Sequence, residues 1–262
     1  MGGQLWVSAA GLRAGAAAVD ALAQDIANVD TAGFKALLPV PGAAAPEPLY
    51  AAGLTAGPAA PAAVLAGGGV APLATDINWS QGSVQQTGDP LNLALLGPGL
   101  FALRDAAGTR VYTRAGNFGL DAAGQITDPR GRLLLDARGH PITVPPRASQ
   151  IRVAADGTVT AVPAGGGAAV TVARIGIALP AAPQGMVPSG SVWTAPAGAG
   201  TVRLTAANGQ QTRLEAGALE QSNADLASLL PRLAQAQQAY AENARAVSVG
   251  LAMWQTVNQQ LA

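Results

Sequence analysis

The chain has no cysteine among its 262 residues and contains a single histidine. Without cysteine it can form no disulfide framework, no thiolate zinc site and no cysteine nucleophile. Charged residues are scarce at 11%, and 15 Lys and Arg are balanced by 15 Asp and Glu. Proteins that bind nucleic acids or anionic membranes usually carry a basic surplus, which this chain lacks. We therefore expect no nucleic-acid partner.

Long apolar runs are missing as well, because no segment contains 18 consecutive apolar residues. We therefore expect no membrane insertion. The N-terminus has neither the basic start nor the solid apolar block of a secretory signal, so we expect no cleaved signal peptide. The chain has 49% hydrophobic residues, 33 Gly and 19 Pro, which is typical of a globular chain with low-complexity patches.

Residues that could carry out catalysis are few and scattered. His140 lies in a turn between glycine and proline, and Asp121, Asp128 and Asp136 have the spacing of turn formers rather than of a paired acid and base. The three glycines at 67–69 are not followed by Lys and Ser or Thr, so they form no phosphate-binding loop. We expect no catalytic residue, no metal ligand and no cofactor.

From Asn223 to the C-terminus, one set of residues is spaced alternately by four and three positions. This set is Leu226, Leu230, Leu233, Gln237, Tyr240, Ala244, Val247, Leu251, Trp254, Asn258 and Leu261. Only a helix places such residues on one stripe, and the spacing is that of a coiled-coil seam. Pro231 interrupts the pattern, which leaves open whether the helix kinks there or a short first turn precedes a main helix from Pro231 onward.

The first thirty residues show a similar stripe and predict a helix over 4–29. Its members are Leu5, Ser8, Leu12, Gly15, Val19, Leu22, Ile26 and Val29. Gly33 is predicted to end this helix with a positive φ. The two patterns predict an α+β fold, in which N- and C-terminal heptad helices form a coiled-coil stalk beside a central all-β domain. The alternative is that each helix merely packs on a globular core.

The middle of the chain divides into a connector and a β domain. Residues 36–70 are rich in Ala, Pro and Gly, which predicts either a solvated linker or a segment that becomes ordered only against neighbouring subunits. Beyond Val70 the period changes to two, with turn signals every eight to twelve residues. Strands are predicted at 91–96, 100–104, 110–113, 118–120, 125–127, 133–135, 142–144, 151–153, 158–162 and 169–179, with a loop over 185–200. The predicted divisions are 1–35, 36–70, 71–218 and 219–262.

Three separated segments carry a resemblance to a known family. Residues 26–35 read IANVDTAGFK; residues 81–95 read QGSVQQTGDPLNLAL and are followed by YTRAGNF at 112–118; residues 219–225 read LEQSNAD. In this order they are similar to the signatures of the flagellar axial proteins, the rod and hook family. The chain departs from the pattern at Asp25, where the family usually has Asn, at Ala32, where it often has Pro, and at Pro231.

The resemblance implies a structural subunit of the basal-body rod, in its distal part, that polymerises into a helical tube and transmits torque from motor to hook. It also implies other rod and hook subunits as partners, and export through the flagellar type III apparatus without a cleaved signal peptide. The alternatives are a proximal rod or hook protein of the same family, or a β-domain carbohydrate binder or enzyme. The expected assembly residues are Leu5, Leu12, Val19, Leu22, Ile26, Asn28, Thr31, Gly33, Phe34, Leu226, Leu230, Leu233, Gln237, Tyr240, Val247, Leu251, Trp254 and Asn258.

Overall fold

The computed structural model describes residues 2–43, 47–48, 65–66, 70–146, 148–163, 167–196, 202–207 and 212–261. Most of the predicted connector at 36–70 therefore lies outside the described residues. The described residues form an α+β fold with a long helix near each end of the chain and a mostly β centre. No helix in these ranges is both long and apolar enough to cross a membrane.

The chain forms two compact units. One, called here the helical unit, comprises Met1–Ala27, Leu37–Ile77 and Asp225–Ala262, and the other, called the β unit, comprises Asn28–Ala36 and Asn78–Ala224. Helices are α1 Gly2–Ala27 and α2 Leu226–Leu261, with a 3-10 turn at Pro183–Gly185. Strands of the helical unit are β1 Leu37–Ala43, β2 Glu47–Pro48, β3 Leu65–Ala66 and β4 Val70–Ile77. Strands of the β unit are β5 Val84–Gln86, β6 Leu93–Leu96, β7 Leu100–Arg104, β8 Arg110–Thr113, β9 Gly119–Leu120, β10 Ile126–Thr127, β11 Leu133–Leu134, β12 Ala148–Val153, β13 Thr158–Pro163, β14 Val170–Arg174, β15 Gly176–Pro180, β16 Val187–Ser189, β17 Val192–Thr194, β18 Val202–Ala206, β19 Arg213–Ala216 and β20 Ala218–Glu220.

In the helical unit, α1 packs against α2, and the two helices run in opposite directions. A side-chain carbon added at Gly11 would lie 2.8 Å from Asn243 Oδ1, and one added at Gly15 would lie 3.3 Å from Tyr240 Cβ. The partner number falls as the α1 number rises, so the two helices are antiparallel. Both glycines allow the close approach because they have no side chain. The coiled-coil stalk itself remains a prediction.

The same unit contains an antiparallel strand pair that packs on α1. Strands β1 and β4 pair from Leu37 opposite Ile77 to Ala43 opposite Val70, with an irregularity between Val40 and Gly42. Strand β4 begins at Val70, where the sequence pattern placed the end of the connector.

The β unit is built around one hydrophobic core to which several sheets contribute. Its largest sheet follows the order β16, β17, β8, β7, β11, β10, β9, and β15 joins it by pairing with both β7 and β18. Strands β12, β13 and β14 form a second sheet, and β6 pairs with β19. The rings of Phe101 and Phe118 meet edge to face at 5.1 Å within the core, among Leu93, Leu103 and Ile177.

Several predicted elements are confirmed, and others are wrong. The strands at 100–104 and 110–113 are confirmed, and the turn between them contains Gly108 at φ 82°. Residues 142–144 form only an isolated bridge from Thr143 to Gln125 instead of a strand, because Ile142 divides its hydrogen bonds between two strands: it donates to Leu134 O of β11 and accepts from the Ile126 N–H of β10. The predicted loop at 185–200 contains the hairpin of β16 and β17, which pairs with β8 through Trp193 and Tyr112.

Two further differences concern longer elements. The single strand predicted at 169–179 is divided into β14 and β15, which belong to different sheets. The division falls beside Gly176, where an added side-chain carbon would lie 2.4 Å from the Asp136 carbonyl oxygen. Helix α1 ends at Ala27, two residues before the predicted end. Helix α2 continues through Pro231, so the alternative of a main helix beginning at that proline is wrong.

Candidate assembly site

The three motif segments of the sequence meet at one buried group of charges in the β unit, called here the ion cluster. Glu220 accepts from Lys35 Nζ at 2.6 Å through Oε1 and from Arg114 Nε at 2.6 Å through Oε2. The side chains of Glu220, Lys35 and Arg114 are 0%, 1% and 6% exposed. Each residue comes from a different motif, so the cluster joins the beginning, middle and end of the chain.

Backbone groups complete the cluster. Arg114 donates to the carbonyl oxygens of Leu95, Gly97 and Gly99 at 2.5 to 2.8 Å, and Lys35 Nζ donates to Ser80 O at 2.6 Å. These carbonyl dipoles offset the surplus positive charge of two cations around one carboxylate. Burial lowers the pKa of Lys35, and its hydrogen bond to Glu220 opposes that change. Removing one partner would leave a buried charge uncompensated, which costs about 3 to 5 kcal/mol.

The exit from α1 leads directly into this cluster. Gly33 has φ 68°, which confirms the predicted positive value, and its N–H donates to Glu220 O at 2.7 Å. An added side-chain carbon there would lie 2.3 Å from the backbone of Arg114 and Ala115. Thr31 donates to Asn28 through both its hydroxyl and its N–H at 3.1 Å, which holds the turn before Gly33.

The side chain of Asn223 holds the segment 220–224 beside the segment 28–36. Its Oδ1 accepts the Ala36 N–H at 2.7 Å, and its Nδ2 donates to Asn78 O at 2.7 Å and to Ser80 O at 2.9 Å. The segments 28–36 and 220–224 therefore lie side by side within the β unit. The sequence patterns indicated no role for Lys35, Arg114, Glu220 or Asn223. Their positions inside the three motifs, in a chain poor in charge, were the available signal.

On α2, the residues turned towards α1 form a stripe beside the predicted one. Buried or partly buried positions recur at Leu229, Leu233, Ala236, Asn243, Ala244, Val247 and Gly250. This stripe shares Leu233, Ala244 and Val247 with the predicted seam, and Tyr240 also touches α1. The other seam members Leu226, Leu230, Gln237 and Leu251 are exposed, with Leu230 56% and Leu251 52% accessible. The side chains of Trp254 and Asn258 lie outside the described residues.

On α1, the buried face is Ala14, Ala21, Leu22 and Asp25. The predicted seam residues Leu12, Val19 and Ile26 are half-buried, and the side chain of Leu5 lies outside the described residues. Small residues dominate the covered face, which fits the close approach of α2. The exposures describe a single chain, and the assembly role of the seam residues stays a prediction.

Asp25 is the one charged residue on the buried face of α1. Both of its oxygens accept the N–H of Leu37, the first residue of β1, at 2.9 and 3.1 Å. Burial raises the pKa of Asp25 from 3.8 to about 6, and the hydrogen bond from Leu37 opposes that rise. The carboxyl therefore holds the start of β1 against α1 at an energetic cost when it is ionised.

A cavity of about 340 Å³ lies beside the ion cluster in the β unit. Its walls are mainly apolar and include Trp79, Leu100 and Pro180, and the ring of Trp79 packs on Trp193 at 5.2 Å. The titratable groups among its lining residues are Lys35 and Arg114, both held by Glu220. The lining thus offers no free acid, base or nucleophile, and two of the tryptophans on which a carbohydrate binder would depend are packed against each other.

Two family models match this chain in the regions that build the site. The model described as flagellar hook protein FlgE/F/G D1 domain matches residues 94–161, and the model described as flagellar basal body rod FlgEFG protein C-terminal matches residues 215–260. The first match contains Arg114 and the second contains Glu220. Together they place the fold in the class of flagellar hook and rod proteins.

Relatives match the chain along nearly its whole length. FlgG, the flagellar basal-body rod protein of Caulobacter vibrioides, is 30% identical over 261 residues, covering 97% of this chain and 98% of the relative. FlgG of Bacillus subtilis is 30% identical over 244 residues, covering 88% of each. FlgF of Caulobacter vibrioides is 32% identical over 166 residues, covering 62% of this chain and 60% of the relative. The chain belongs to the family of flagellar basal-body rod protein FlgG, and it is a structural subunit of the flagellar rod in the basal body.

Proposed function

We propose that this chain forms the distal part of the rod, where it polymerises into a helical tube that transmits torque from motor to hook. The observation that carries the proposal is the set of apolar side chains that the helices leave exposed. Leu226, Leu230, Val249, Leu251 and Met253 are each between 41% and 58% exposed. Soluble monomers rarely leave contiguous apolar surface uncovered unless another molecule binds it.

The geometry of the helices supports assembly through these residues. The α1-facing half of the predicted seam stabilises the helical unit, and the outward half remains available to other subunits. Contacts between different surfaces of identical subunits do not close on themselves and generate a helical filament. We assign the outward residues of α2 and the seam positions of α1 to assembly. We also assign to it the exit residues Asn28, Thr31, Gly33 and Phe34, which set the geometry on which assembly depends.

The distal position is supported by how the relatives align. FlgG of Caulobacter vibrioides matches this chain over 97% of its length, whereas FlgF of the same organism matches over 62%. The nearly full-length matches to FlgG support a resemblance to FlgG, and the distal assignment rests on that resemblance. Because the matching models describe hook and rod proteins alike, we include other rod and hook subunits among its partners. Export through the flagellar type III apparatus rests on the family resemblance alone.

The ion cluster has a supporting role in this proposal. It fixes segments 28–36 and 220–224 side by side, and these segments lead into α1 and α2. A torque-bearing subunit needs these two segments held at a fixed distance from each other. Buried charge pairs and backbone hydrogen bonds supply that fixation better than exposed contacts do.

The test is a single charge placed on the outward side of α2. We expect Leu251→Asp to abolish motility and hook formation, because assembly would bury the carboxylate at a cost on the order of several kcal/mol. The purified chain should unfold within about 0.5 kcal/mol of the parent, because Leu251 is exposed. The variant Gln235→Asp adds the same charge at an exposed polar position of α2 and should leave motility intact. A destabilised Leu251→Asp monomer in motile cells would contradict the proposal.

A further inference from the structure

We infer that successive copies of the chain contact one another through opposite ends of α2. Val249, Met253 and Val257, called here the C-terminal patch, pack against Leu226 and Leu230 of the next copy, called here the N-terminal patch. The inference rests on the proposed polymerisation and specifies which surfaces carry it.

Both patches are apolar and uncovered. Val249, Met253 and Val257 are 58%, 51% and 36% exposed, and they follow one another at intervals of four residues. This spacing places them on one side of α2 as a continuous ridge. Leu226 and Leu230 have the same four-residue interval at the other end of the helix. The ridge of one patch therefore matches the spacing of the other.

The surface between the two patches is unsuitable for an apolar contact. On the side of α2 that carries the C-terminal patch, the preceding turns present exposed Gln235, Gln238, Glu242 and Arg245. On this side of α2 the exposed large apolar side chains are thus confined to its C-terminal end, whereas the side that carries the N-terminal patch also exposes Tyr240 and Leu251. A contact that pairs the two ends covers both patches at once and leaves the polar middle in water.

Both patches have charged neighbours, and exposed Arg232 follows the N-terminal patch by two residues. Asp225 directly precedes the N-terminal patch, and Arg245 precedes the C-terminal patch by one helical turn. In the part of the chain that the structure describes, neither residue forms an ion pair. If parallel helices place Leu226 beside Val249 and Leu230 beside Met253, Asp225 lies beside position 248, within one turn of Arg245. The charges favour that parallel, staggered arrangement over the reverse one.

A second copy is the occupant that fits these observations. The two patches are different surfaces of the same molecule. Each patch is uncovered in the single chain, and the other patch of a second copy can cover it. Their pairing is heterologous, so every added copy presents a new free patch. A partner of another kind would cover one patch and leave the other exposed.

Cysteine cross-linking tests the contact without background, because the chain contains no cysteine. The variant carries Leu230→Cys and Met253→Cys and replaces the native chain in flagellated cells. These positions are 23 residues apart on one helix, or about 35 Å, whereas a disulfide needs Cα atoms within about 7 Å. Any disulfide therefore joins two copies. After mild oxidation of purified basal bodies, we expect a ladder of covalent multimers on a non-reducing gel.

The matched control moves the first cysteine from the N-terminal patch to the polar middle of α2. Gln238→Cys combined with Met253→Cys should give no ladder, as should each single cysteine variant. If Leu230→Cys with Met253→Cys prevents assembly, the smaller changes Leu226→Cys and Val249→Cys test the same contact, and a ladder from that pair supports it equally.

The outcomes separate this inference from the proposed function. Motile cells whose basal bodies contain the double variant but form no ladder would overturn the patch pairing and leave polymerisation standing. A ladder from the Gln238→Cys control as strong as that from Leu230→Cys would also overturn it. Failure of the unmodified chain to enter the basal body would instead contradict the proposed function.

Discussion

The β unit and the helical unit differ in how completely each covers its own side chains. In the β unit, Leu95, Phe101 and Ile177 are fully buried, and the buried cations of the ion cluster are paired with Glu220 and with backbone carbonyl oxygens. In the helical unit, apolar side chains stand exposed along α2, and the buried Asp25 has no cation beside it among the causes of its raised pKa. Among the described residues, the β unit exposes scattered large apolar side chains, at Leu120, Val170 and Val187, whereas those of the helical unit recur along α2.

The largest expected effect comes from breaking the ion cluster. Glu220→Ala leaves Lys35 and Arg114 buried without a counter-charge, so we expect the β unit to lose about 3 to 5 kcal/mol of unfolding free energy. Urea unfolding followed by circular dichroism near 215 nm measures the loss. The control Glu215→Ala removes the same charge at a position whose partner is a surface Gln86, and it should cost less than about 1 kcal/mol. Equal effects of the two variants would show that the cluster contributes nothing special.

A smaller but still large effect is expected at Gly33. Gly33→Val adds a branched side chain at φ 68° and pushes it into the backbone of Arg114 and Ala115, so we expect a loss of about 3 kcal/mol. Gly131→Val is the matched control, because Gly131 has φ 77° but open space around it. It should lose only the conformational part, about 1 to 2 kcal/mol. If both variants unfold at the same urea concentration, the close approach at Gly33 is unimportant.

The third prediction tests the helical unit through the buried carboxyl group of Asp25. Its pKa is about 6 in the folded chain and 3.8 when unfolded, so folding favours the protonated form. Stability of the helical unit should therefore rise as pH falls from above 6 towards 4, and change little below 4. The full cost above pH 6 is about 3 kcal/mol, since the pKa differs by about two units and each unit is worth about 1.4 kcal/mol.

Asp25→Asn removes the charge and should raise stability at pH 7 while abolishing this pH dependence. Thermal unfolding followed at 222 nm, which reports helix, between pH 8 and pH 4 makes the measurement. Asp20→Asn at an exposed position of α1 should leave the parent's pH profile unchanged. A parent chain whose helical signal melts at the same temperature throughout this range would sink the assignment.

The smallest effect is expected at the surface of the β unit. Arg174 holds Asp156, and this hydrogen bond with others from Thr158 lowers the pKa of Asp156 to about 2. Its stabilisation should be present above pH 4 and disappear as pH falls through about 2. Because both side chains are about half exposed, Arg174→Gln should cost less than about 1 kcal/mol, and the cost should vanish in 1 M salt. A salt-independent loss would indicate that Arg174 acts through packing.

Local signals in the sequence were enough to predict the hairpins. The repeated arrangement of Asp with Gly three residues later fixes tight turns, as at Asp105 and Gly108, where the Gly108 N–H donates to Asp105 O. The positive φ of Gly33 followed from the same kind of reasoning. Such features depend on a few neighbouring residues and on backbone sterics, which the sequence displays directly.

Features set by distant contacts could not be predicted. The split between β14 and β15 depends on Gly176 meeting Asp136, and nothing near 176 shows that contact. The heptad pattern of α2 gave the period of the helix but not the side that α1 covers, because Leu233 and Val247 belong to two overlapping stripes. The motifs carried the family resemblance and each contains a charge, but the sequence does not show that Lys35, Arg114 and Glu220 meet in one cluster.

The span of the ion cluster also orders the events of folding. Lys35 and Glu220 are 185 positions apart, so the carboxylate appears only when most of a chain made from its N-terminus has emerged. Until then, Lys35 and Arg114 lack the anion that makes their burial tolerable, and they favour staying in water. The β unit of an incomplete chain therefore lacks the counter-charge for its buried cations. We expect the β unit to finish folding only when the last motif, residues 219–225, is present.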